Sequence, residues 1–147
     1  MYTYKKYKST DTEIYKSSLE LRNELLRIPF GKSIYDDNLE IEKDNDFYGV
    51  FKKNELIGTF SCFEESPHSV RLTAFAIKSN FQGKGLGKGL VEFSISDLKE
   101  RKYSNISCYA LTTAVDFYRK CDFLAVEEPV LNENLGVYNC KMNCNLI

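Results

Sequence analysis

Residues 71 to 101 read RLTAFAIKSNFQGKGLGKGLVEFSISDLKER, and the fold prediction starts from this stretch. It opens with an apolar run at residues 72–77 that lacks the polar alternation of a strand with one solvated face. Such a run is typical of a strand buried on both faces. A glycine-rich loop follows at residues 82–87, and the pattern then predicts a helix to about Arg101.

This order of strand, glycine loop and helix favours anion binding. The first N–H groups of a helix have no partner within the helix, and the helix dipole is positive there. Glycines also omit the side chains that would keep a phosphate away from those N–H groups. We therefore predict a phosphate site between Gln82 and Lys88, with a plain tight turn as the alternative interpretation.

Two common phosphate motifs do not fit this loop. Counting from Gly83, Lys88 stands where the second glycine of a G-x-x-x-x-G-K-[ST] loop belongs. A G-x-G-x-x-G fingerprint fails in both registers. Its last glycine is replaced by Lys88 when counting starts at Gly83, and by Leu90 when it starts at Gly85.

Length and composition narrow the class of protein. A chain of 147 residues predicts one domain, spanning 1–147. Its formal net charge of −1 argues against a nucleic-acid surface, which needs a basic excess. No apolar run approaches the roughly 20 residues of a membrane-spanning helix, and no export signal opens the chain. We expect a cytoplasmic protein that binds neither nucleic acid nor membranes.

The cysteines predict free thiols rather than disulfides or a metal site. There are five of them, an odd number, and no two form C-x-x-C. His68 is the single histidine, so a zinc site is not expected. The cysteines are Cys62, Cys108, Cys121, Cys140 and Cys144.

The N-terminal third predicts a strand, a helix and an acidic connection. Residues 2–7 favour a strand, and Thr10 and Glu13 have the spacing of a capping box that opens a helix ended by Pro29. The acidic residues between 36 and 46 are interpreted as a solvated connection that could attract a cationic amine. The apolar residues expected on one face of the helix are Ile14, Leu21, Leu25 and Ile28.

The remaining pattern predicts further strands around the glycine loop. Residues 47–53 and 56–63 favour two strands joined by a turn, and residues 64–69 favour a second turn around Pro67. After the long helix, residues 105–110 predict a strand parallel to the apolar run, because a helix separates them. The last strands are expected around residues 123–126 and 137–142.

A short helix is predicted between those strands. Thr112 or Thr113 is expected to cap it, with Ala114, Phe117 and Cys121 on its inner face.

Two motifs in this chain resemble signatures of the GNAT acetyltransferase superfamily. Gln82, Gly85 and Gly87 match Q/R-x-x-G-x-G/A, the acyl-CoA pyrophosphate loop of that superfamily. A second motif, A-x-x-F-Y-x-x-x-G-F, is matched by Ala114, Phe117, Tyr118 and Phe123. Both lie on the expected elements and in the expected order. The chain thus resembles a small, bacterial, single-domain GNAT protein.

Asp122 departs from the second motif, where the family has glycine. That position ends a helix in left-handed backbone, which Asp tolerates better than most residues. Near the N-terminus, residues 21–31 read LRNELLRIPFG and resemble the LRxxVLRxPxG helix of a bacterial GNAT subgroup. The Pro-His pair that often precedes the C-terminal Met of that subgroup is missing before Met142.

The resemblance implies a fold and a binding site for acetyl-CoA. The fold would be α/β (α+β by some schemes), a mixed, mostly antiparallel sheet of six to seven strands flanked by helices. Its central parallel pair would splay apart to admit the pantetheine arm, which would pair with backbone near Phe75 and Ile77. The pyrophosphate would bind the loop residues Gln82, Gly83, Lys84, Gly85, Leu86, Gly87 and Lys88.

The resemblance also implies an N-acetyltransferase that transfers acetyl directly from acetyl-CoA to a primary amine. Tyr118 would be the general acid that protonates the thiolate, and Glu64 is a candidate base, with His68, Glu65 or a water chain as alternatives. The acceptor is a small amine or a protein amine, no metal is expected, and a homodimer through the C-terminal strands is left open. The alternatives are a CoA-binding sensor without turnover and an adaptor domain without CoA.

Overall fold

The computed structural model describes all residues from Met1 to Ile147. It contains eight strands and three α-helices, joined in several places by short 3-10 turns. None of the helices combines the length and the apolar content needed to cross a membrane. The strands are β1 (Tyr2–Tyr7), β2 (Asp46–Lys52), β3 (Glu55–Ser66), β4 (Ser69–Ile77), β5 (Asn105–Leu111), β6 (Leu124–Ala125), β7 (Val130–Asn132) and β8 (Val137–Asn145). The helices are α1 (Thr12–Leu26), α2 (Leu86–Glu100) and α3 (Val115–Lys120).

All eight strands belong to one mixed sheet, in the order β1-β2-β3-β4-β5-β8-β6, with β7 paired to β8. The pair β4–β5 is parallel, whereas β1–β2, β2–β3 and the pairs of β8 are antiparallel. This confirms the predicted mixed sheet with a central parallel pair. The extra strand relative to the predicted six to seven is β7, a three-residue strand directly after Pro129.

By its contacts the chain divides into two compact units. The first contains residues 1–63 and 74–90, and the second contains residues 64–73 and 91–147. Strands β3 and β4 and helix α2 each contribute residues to both units.

The first unit has an aromatic core under helix α1. Tyr7 and Phe47 stack with ring centroids 5.2 Å apart, and Phe51 and Leu56 complete the buried cluster. The turn between β2 and β3 consists of Lys53 and Asn54, both with positive φ, so Lys52 pairs directly with Glu55. The predicted hairpin is therefore present, with a two-residue turn.

Helix α1 does not begin with the predicted capping box. Its N-cap is Asp11 rather than Thr10, and no side chain caps the helix. The carboxylate of Asp11 instead accepts a hydrogen bond of 2.8 Å from the backbone N–H of Lys8. This hydrogen bond fixes the path of the chain from β1 into α1. Ile28, predicted on the buried face, lies in a 3-10 turn and is exposed.

The buried face of α1 carries a charge that the apolar pattern did not predict. Arg22 is only 4% exposed and makes a bidentate ion pair with Glu42, at 2.7 and 2.9 Å. The hydroxyl of Tyr15 donates a third hydrogen bond, of 2.6 Å, to the same carboxylate. The prediction that the whole segment 36–46 is solvated is therefore wrong at Glu42, which ties this segment to α1.

The environment of Glu42 favours its ionised form. Burial opposes ionisation, but the hydrogen bonds from Arg22 and Tyr15 outweigh it, so the pKa of Glu42 is below its ordinary value. Burial and the hydrogen bond to Glu42 raise the pKa of Tyr15 well above that of a free phenol. The three side chains thus form one network with a fixed charge arrangement near neutral pH.

In the second unit, helix α3 ends in a Schellman motif. The N–H of Phe123 bonds the carbonyl of Tyr118, and the N–H of Asp122 bonds the carbonyl of Arg119, both at 3.0 Å. Asp122 has φ of +70°, which confirms the predicted left-handed terminus. The rings of Tyr118 and Phe123 meet edge to face at 5.4 Å, the apolar contact that accompanies this motif.

The start of α3 differs from the prediction. Residues Thr112–Ala114 form a 3-10 turn, and neither threonine caps the helix, whose N-cap is Ala114. Tyr118, which was not assigned to the inner face, is the buried residue within α3. Ala114 and Phe117 are half-buried, and Cys121 is buried just after the helix.

Removing the charge of Glu42 tests the network under α1. We expect Glu42→Gln to lower the free energy of unfolding by about 3 kcal/mol at pH 7, because Arg22 loses its charged partner. A lowered carboxyl pKa stabilises the fold above the ordinary value of 4.5, and that stability is lost as the pH falls through the lower folded value. Urea unfolding at several pH values should therefore show that the free energies of unfolding of the wild type and of Glu42→Gln become equal in acid.

The control for that experiment is Glu40→Gln, in the same segment. Glu40 is exposed and pairs with the exposed Lys43 alone. The free energy of unfolding of Glu40→Gln should remain close to that of the wild type at every pH. A Glu42→Gln protein that is as stable as Glu40→Gln at pH 7 would contradict the assigned network.

Asp122→Gly tests the strain at the end of α3. Glycine adopts positive φ without a steric penalty, so we expect the free energy of unfolding to rise by about 1 kcal/mol. The control Lys120→Gly lies two residues earlier in helical backbone and should lower it by about 1 kcal/mol. If urea unfolding shows the same decrease in the free energy of unfolding for both variants, the backbone at Asp122 is not strained.

Candidate active site

The predicted phosphate loop is an exposed turn in the first unit. Gly83 and Gly85 have φ of +76° and +79°, in the left-handed region, and α2 begins immediately afterwards at Leu86. A Cβ atom at either glycine would meet no other atom within 4 Å. The glycines are therefore required by backbone conformation, and the space in front of them is open.

The N–H groups at the start of α2 are available to a ligand. The first hydrogen bond of the helix runs from the N–H of Gly89 to the carbonyl of Gly85, at 3.0 Å. The N–H groups of Leu86, Gly87 and Lys88 precede it and have no carbonyl within the helix. They lie at the end of the helix where its dipole is positive.

Gln82 holds the loop to the preceding strand. Its side-chain amide donates a hydrogen bond of 2.9 Å to the carbonyl of Ile77, the last residue of β4. The ammonium of Lys84 lies 5.7 Å from the ring centroid of Phe81, and Lys88 is exposed. A loop with open N–H groups, two lysines and no intruding side chain fits the diphosphate of a CoA thioester.

Strand β4 contains a backbone feature that the sequence prediction missed. Ala74, in the middle of this strand, has φ of +58°. A non-glycine residue in left-handed conformation is strained, and inside a strand it re-aims the backbone groups that follow. No sequence pattern signals it, because alanine is an ordinary strand residue.

Phe75 and Ile77, the predicted pantetheine contacts, follow this kink. The ring of Phe75 packs against Phe60 at 5.1 Å, and Ile77 packs over Gly58, where a Cβ would lie 2.5 Å from its Cδ1 atom. Their side chains are thus held on neighbouring β3. Both residues are only half-buried, so this end of β4 is less enclosed than the predicted strand.

In the second unit, the parallel ladder between β4 and β5 is short. It consists of three residue pairs, of which the last joins Arg71 to Ser107. Strand β5 continues to Leu111 and remains paired with β8 throughout, but it has no further partner on β4. The predicted separation of the central parallel pair therefore begins after Arg71.

Tyr118 lies on α3 and is only 6% exposed. Its ring meets Phe117 at 5.3 Å and Phe123 at 5.4 Å, both edge to face. The two motif phenylalanines thus fix the orientation of the tyrosine ring.

Glu64 and Glu65 lie on β3, which extends to Ser66, and not in the predicted turn. Their side chains point to opposite faces of the sheet. Glu64 accepts a hydrogen bond of 2.9 Å from the hydroxyl of Tyr103, whereas Glu65 pairs with Arg71 and accepts a bond of 2.8 Å from Ser107. The exposed His68 lies in the turn before β4.

The second unit also contains a cavity of about 330 Å³ that sequence reasoning missed. It lies beside the outward face of β5, where Tyr109 lines it, and is bounded by β7, β8 and the segment after β6. Its charged lining residues are Glu127, Glu128 and Lys141. The pairing of β8 with β5, β6 and β7 brings these residues together, so no spacing in the sequence reveals the cavity.

These features agree with comparison to known protein families. The family model described as "Acetyltransferase (GNAT) domain" matches residues 22–146. The chain therefore belongs to the GNAT family, whose members are acyltransferase enzymes that use acetyl-CoA.

The individual relatives share only about a third of the aligned residues with this chain. The chain is 29% identical over 107 residues to "Uncharacterized N-acetyltransferase YvbK" of Bacillus subtilis, covering 71% of this chain and 67% of that protein. It is 32% identical over 79 residues to "GCN5-related N-acetyltransferase 2, chloroplastic" of Arabidopsis thaliana, covering 54% of this chain and 31% of the plant protein. The chain thus spans about a third of the length of this plant relative.

A solved structure with the same fold was determined in complex with coenzyme A. It is an aminoglycoside 6'-N-acetyltransferase complexed with coenzyme A, with a TM-score of 0.81 and 12% identity. The alignment covers 99% of this chain and 97% of that chain. At this identity the likeness establishes the fold alone.

Gly85→Ala tests the loop. A Cβ in left-handed backbone should lower the free energy of unfolding by about 1 kcal/mol and weaken CoA binding about tenfold, since the loop leaves its anion-binding conformation. The matched control is Gly31→Ala, because Gly31 has φ of +70° and equally open surroundings. Gly31→Ala should lower the free energy of unfolding by a similar amount and keep the wild-type affinity for CoA, as measured by calorimetry. Equal affinities in both variants would exclude the loop as the CoA site.

Proposed function

We propose that this chain is an acetyl-CoA-dependent N-acetyltransferase that moves the acetyl group directly to a primary amine. The observation that carries the proposal is the open row of N–H groups at the start of α2, behind left-handed Gly83 and Gly85. An exposed loop of this form, in a chain of the GNAT family, is suited to bind the diphosphate of CoA. Lys84 and Lys88 add positive charge beside it.

The backbone of β4 is proposed to bind the rest of the donor. Phe75 and Ile77 would offer their N–H and carbonyl groups to the pantetheine amides, since their side chains are already packed on β3. A backbone N–H after Ala74 is proposed to donate to the thioester oxygen as negative charge develops there. Such donors typically contribute about 3–4 kcal/mol to transition-state stabilisation.

Tyr118 is the proposed general acid. Its hydroxyl would protonate the sulfur as the C–S bond breaks, because a phenol and an alkyl thiol have pKa values close enough for efficient proton transfer. The contacts with Phe117 and Phe123 support this role, since a buried and oriented ring holds its hydroxyl in a defined position.

The attacking amine must first lose a proton, because an alkylammonium has no free electron pair. Two routes remain open for that proton. One is Glu64, whose carboxylate is exposed and bonded to the hydroxyl of Tyr103. The other is a water chain that leads the proton to solvent.

Direct transfer is favoured over an acyl-cysteine intermediate. A cysteine nucleophile reacts as the thiolate, which requires a lowered pKa. All five cysteines are buried, and burial raises the pKa of Cys108 to about 12 and that of Cys144 above its ordinary value. The proposal therefore treats residues 1–147 as one catalytic domain without a covalent relay.

Tyr118→Phe tests the mechanism. Loss of the acid should lower kcat about 10²–10⁴-fold, the usual contribution of general acid catalysis, with CoA affinity unchanged. Turnover is measured by release of free thiol from acetyl-CoA with a panel of primary amines. Tyr138→Phe is the control, since Tyr138 is exposed on β8 and has no proposed role. Equal activity in both variants would remove Tyr118 from the mechanism.

A further inference from the structure

The cavity in the second unit combines charged, amide and apolar side chains. Glu127, Glu128 and Lys141 supply the charges, and Tyr109 supplies an aromatic ring. A volume of about 330 Å³ is at the lower end of the roughly 300–1,000 Å³ typical of small-molecule sites. The cavity therefore fits a small molecule or one end of it.

The charges in this cavity do not cancel. Lys141 lies 4.0 Å from Glu127, so these two side chains offset each other. Arg71, which stacks on Tyr109 at 4.6 Å, is paired with Glu65. Glu128 has no cationic partner in the structure and leaves one carboxylate to a ligand.

A carboxylate has a specific consequence for an amine substrate. Contact with Glu128 would stabilise the ammonium form of an amine and raise its pKa. The amine that attacks the thioester must be neutral, so Glu128 does not suit the reacting group. It suits a second ammonium on the same substrate.

The cavity lies beside the point where β4 and β5 part. Tyr109 is two residues beyond Ser107 on the same face of β5, and Ser107 belongs to the last pair of the β4–β5 ladder. Two residues along a strand span about 7 Å. A ligand in the cavity can therefore extend toward the place where the ladder ends.

The rest of the lining suits a hydrocarbon linker. Val130 and Leu131 of β7 line the cavity and are exposed, together with the ring of Tyr109. Apolar side chains gathered around one carboxylate favour methylene groups ending in an ammonium. Asn132 and Asn139 add neutral amides and no further charge.

We propose that this cavity is the acceptor-specificity site and that it selects amines with a second, non-reacting ammonium, held by Glu128. The substrate class is therefore a diamine or a longer polyamine. This inference rests on the proposed acetyltransferase function. Glu128 is a specificity residue in it, while the group that reacts is the distal, neutral amine.

The test compares diamines from 1,4-diaminobutane to 1,8-diaminooctane with monoamines of the same chain lengths. In the wild type, kcat/KM for the best diamine should exceed that of its monoamine about tenfold or more, the effect of one charge-assisted hydrogen bond. Glu128→Gln should remove this preference and leave kcat/KM for the monoamine unchanged. Glu133→Gln, an exposed glutamate outside the cavity, should keep the preference.

Direct binding separates this proposal from the proposed function. Calorimetry should show the best diamine binding to the wild type about tenfold more tightly than to Glu128→Gln. If no amine is acetylated but this difference is present, the specificity site stands and the acetyltransferase function fails. If amines are acetylated while diamines and monoamines are equivalent, or Glu128→Gln and Glu133→Gln behave alike, the specificity site is wrong.

Discussion

The interruption of pairing between β4 and β5 is the constraint on which the site depends. A parallel ladder that continued beyond Arg71 and Ser107 would satisfy the backbone of β4 and leave nothing for a ligand to pair with. Ala74 reinforces the interruption, because its left-handed backbone re-aims the groups that follow. The strained residue thus lies directly before the backbone that is proposed to bind the pantetheine arm.

The two units carry different residues of the proposed site. The first carries the glycine loop, whose N–H groups are left open by two left-handed residues, Gly83 and Gly85. The second carries Tyr118, which is fixed by aromatic contacts, and a cavity with one uncompensated carboxylate, Glu128. In the proposed mechanism, donor binding relies on backbone groups, whereas acid catalysis and acceptor choice rely on side chains. If this proposal holds, substitutions in the cavity alter the preference for the acceptor and leave the donor loop intact.

Sequence reasoning succeeded where one local rule decided the structure. Positive φ at Asp122 follows from the family motif, and the hairpin of β2 and β3 follows from the turn residues between two apolar runs. Sequence reasoning failed where an interaction joins residues that are distant in the sequence. Arg22 and Glu42 are 20 residues apart, and each looks solvent-exposed in its own segment. Pairing across such a distance is visible only when both segments are folded.

By itself, the sequence predicted most of the strands and helices from the local hydrophobic pattern, and two motifs gave the resemblance to the GNAT acyltransferases that the family model confirms. Tertiary structure alone decided three further features. These are the strained backbone at Ala74, the buried charge of Arg22 and the cavity around Glu128. Each depends on segments that meet only in the folded chain. The rest of the fold tolerates the strain at Ala74, Glu42 matches the charge of Arg22, and β5 and β8 complete the cavity beside residues 127–132.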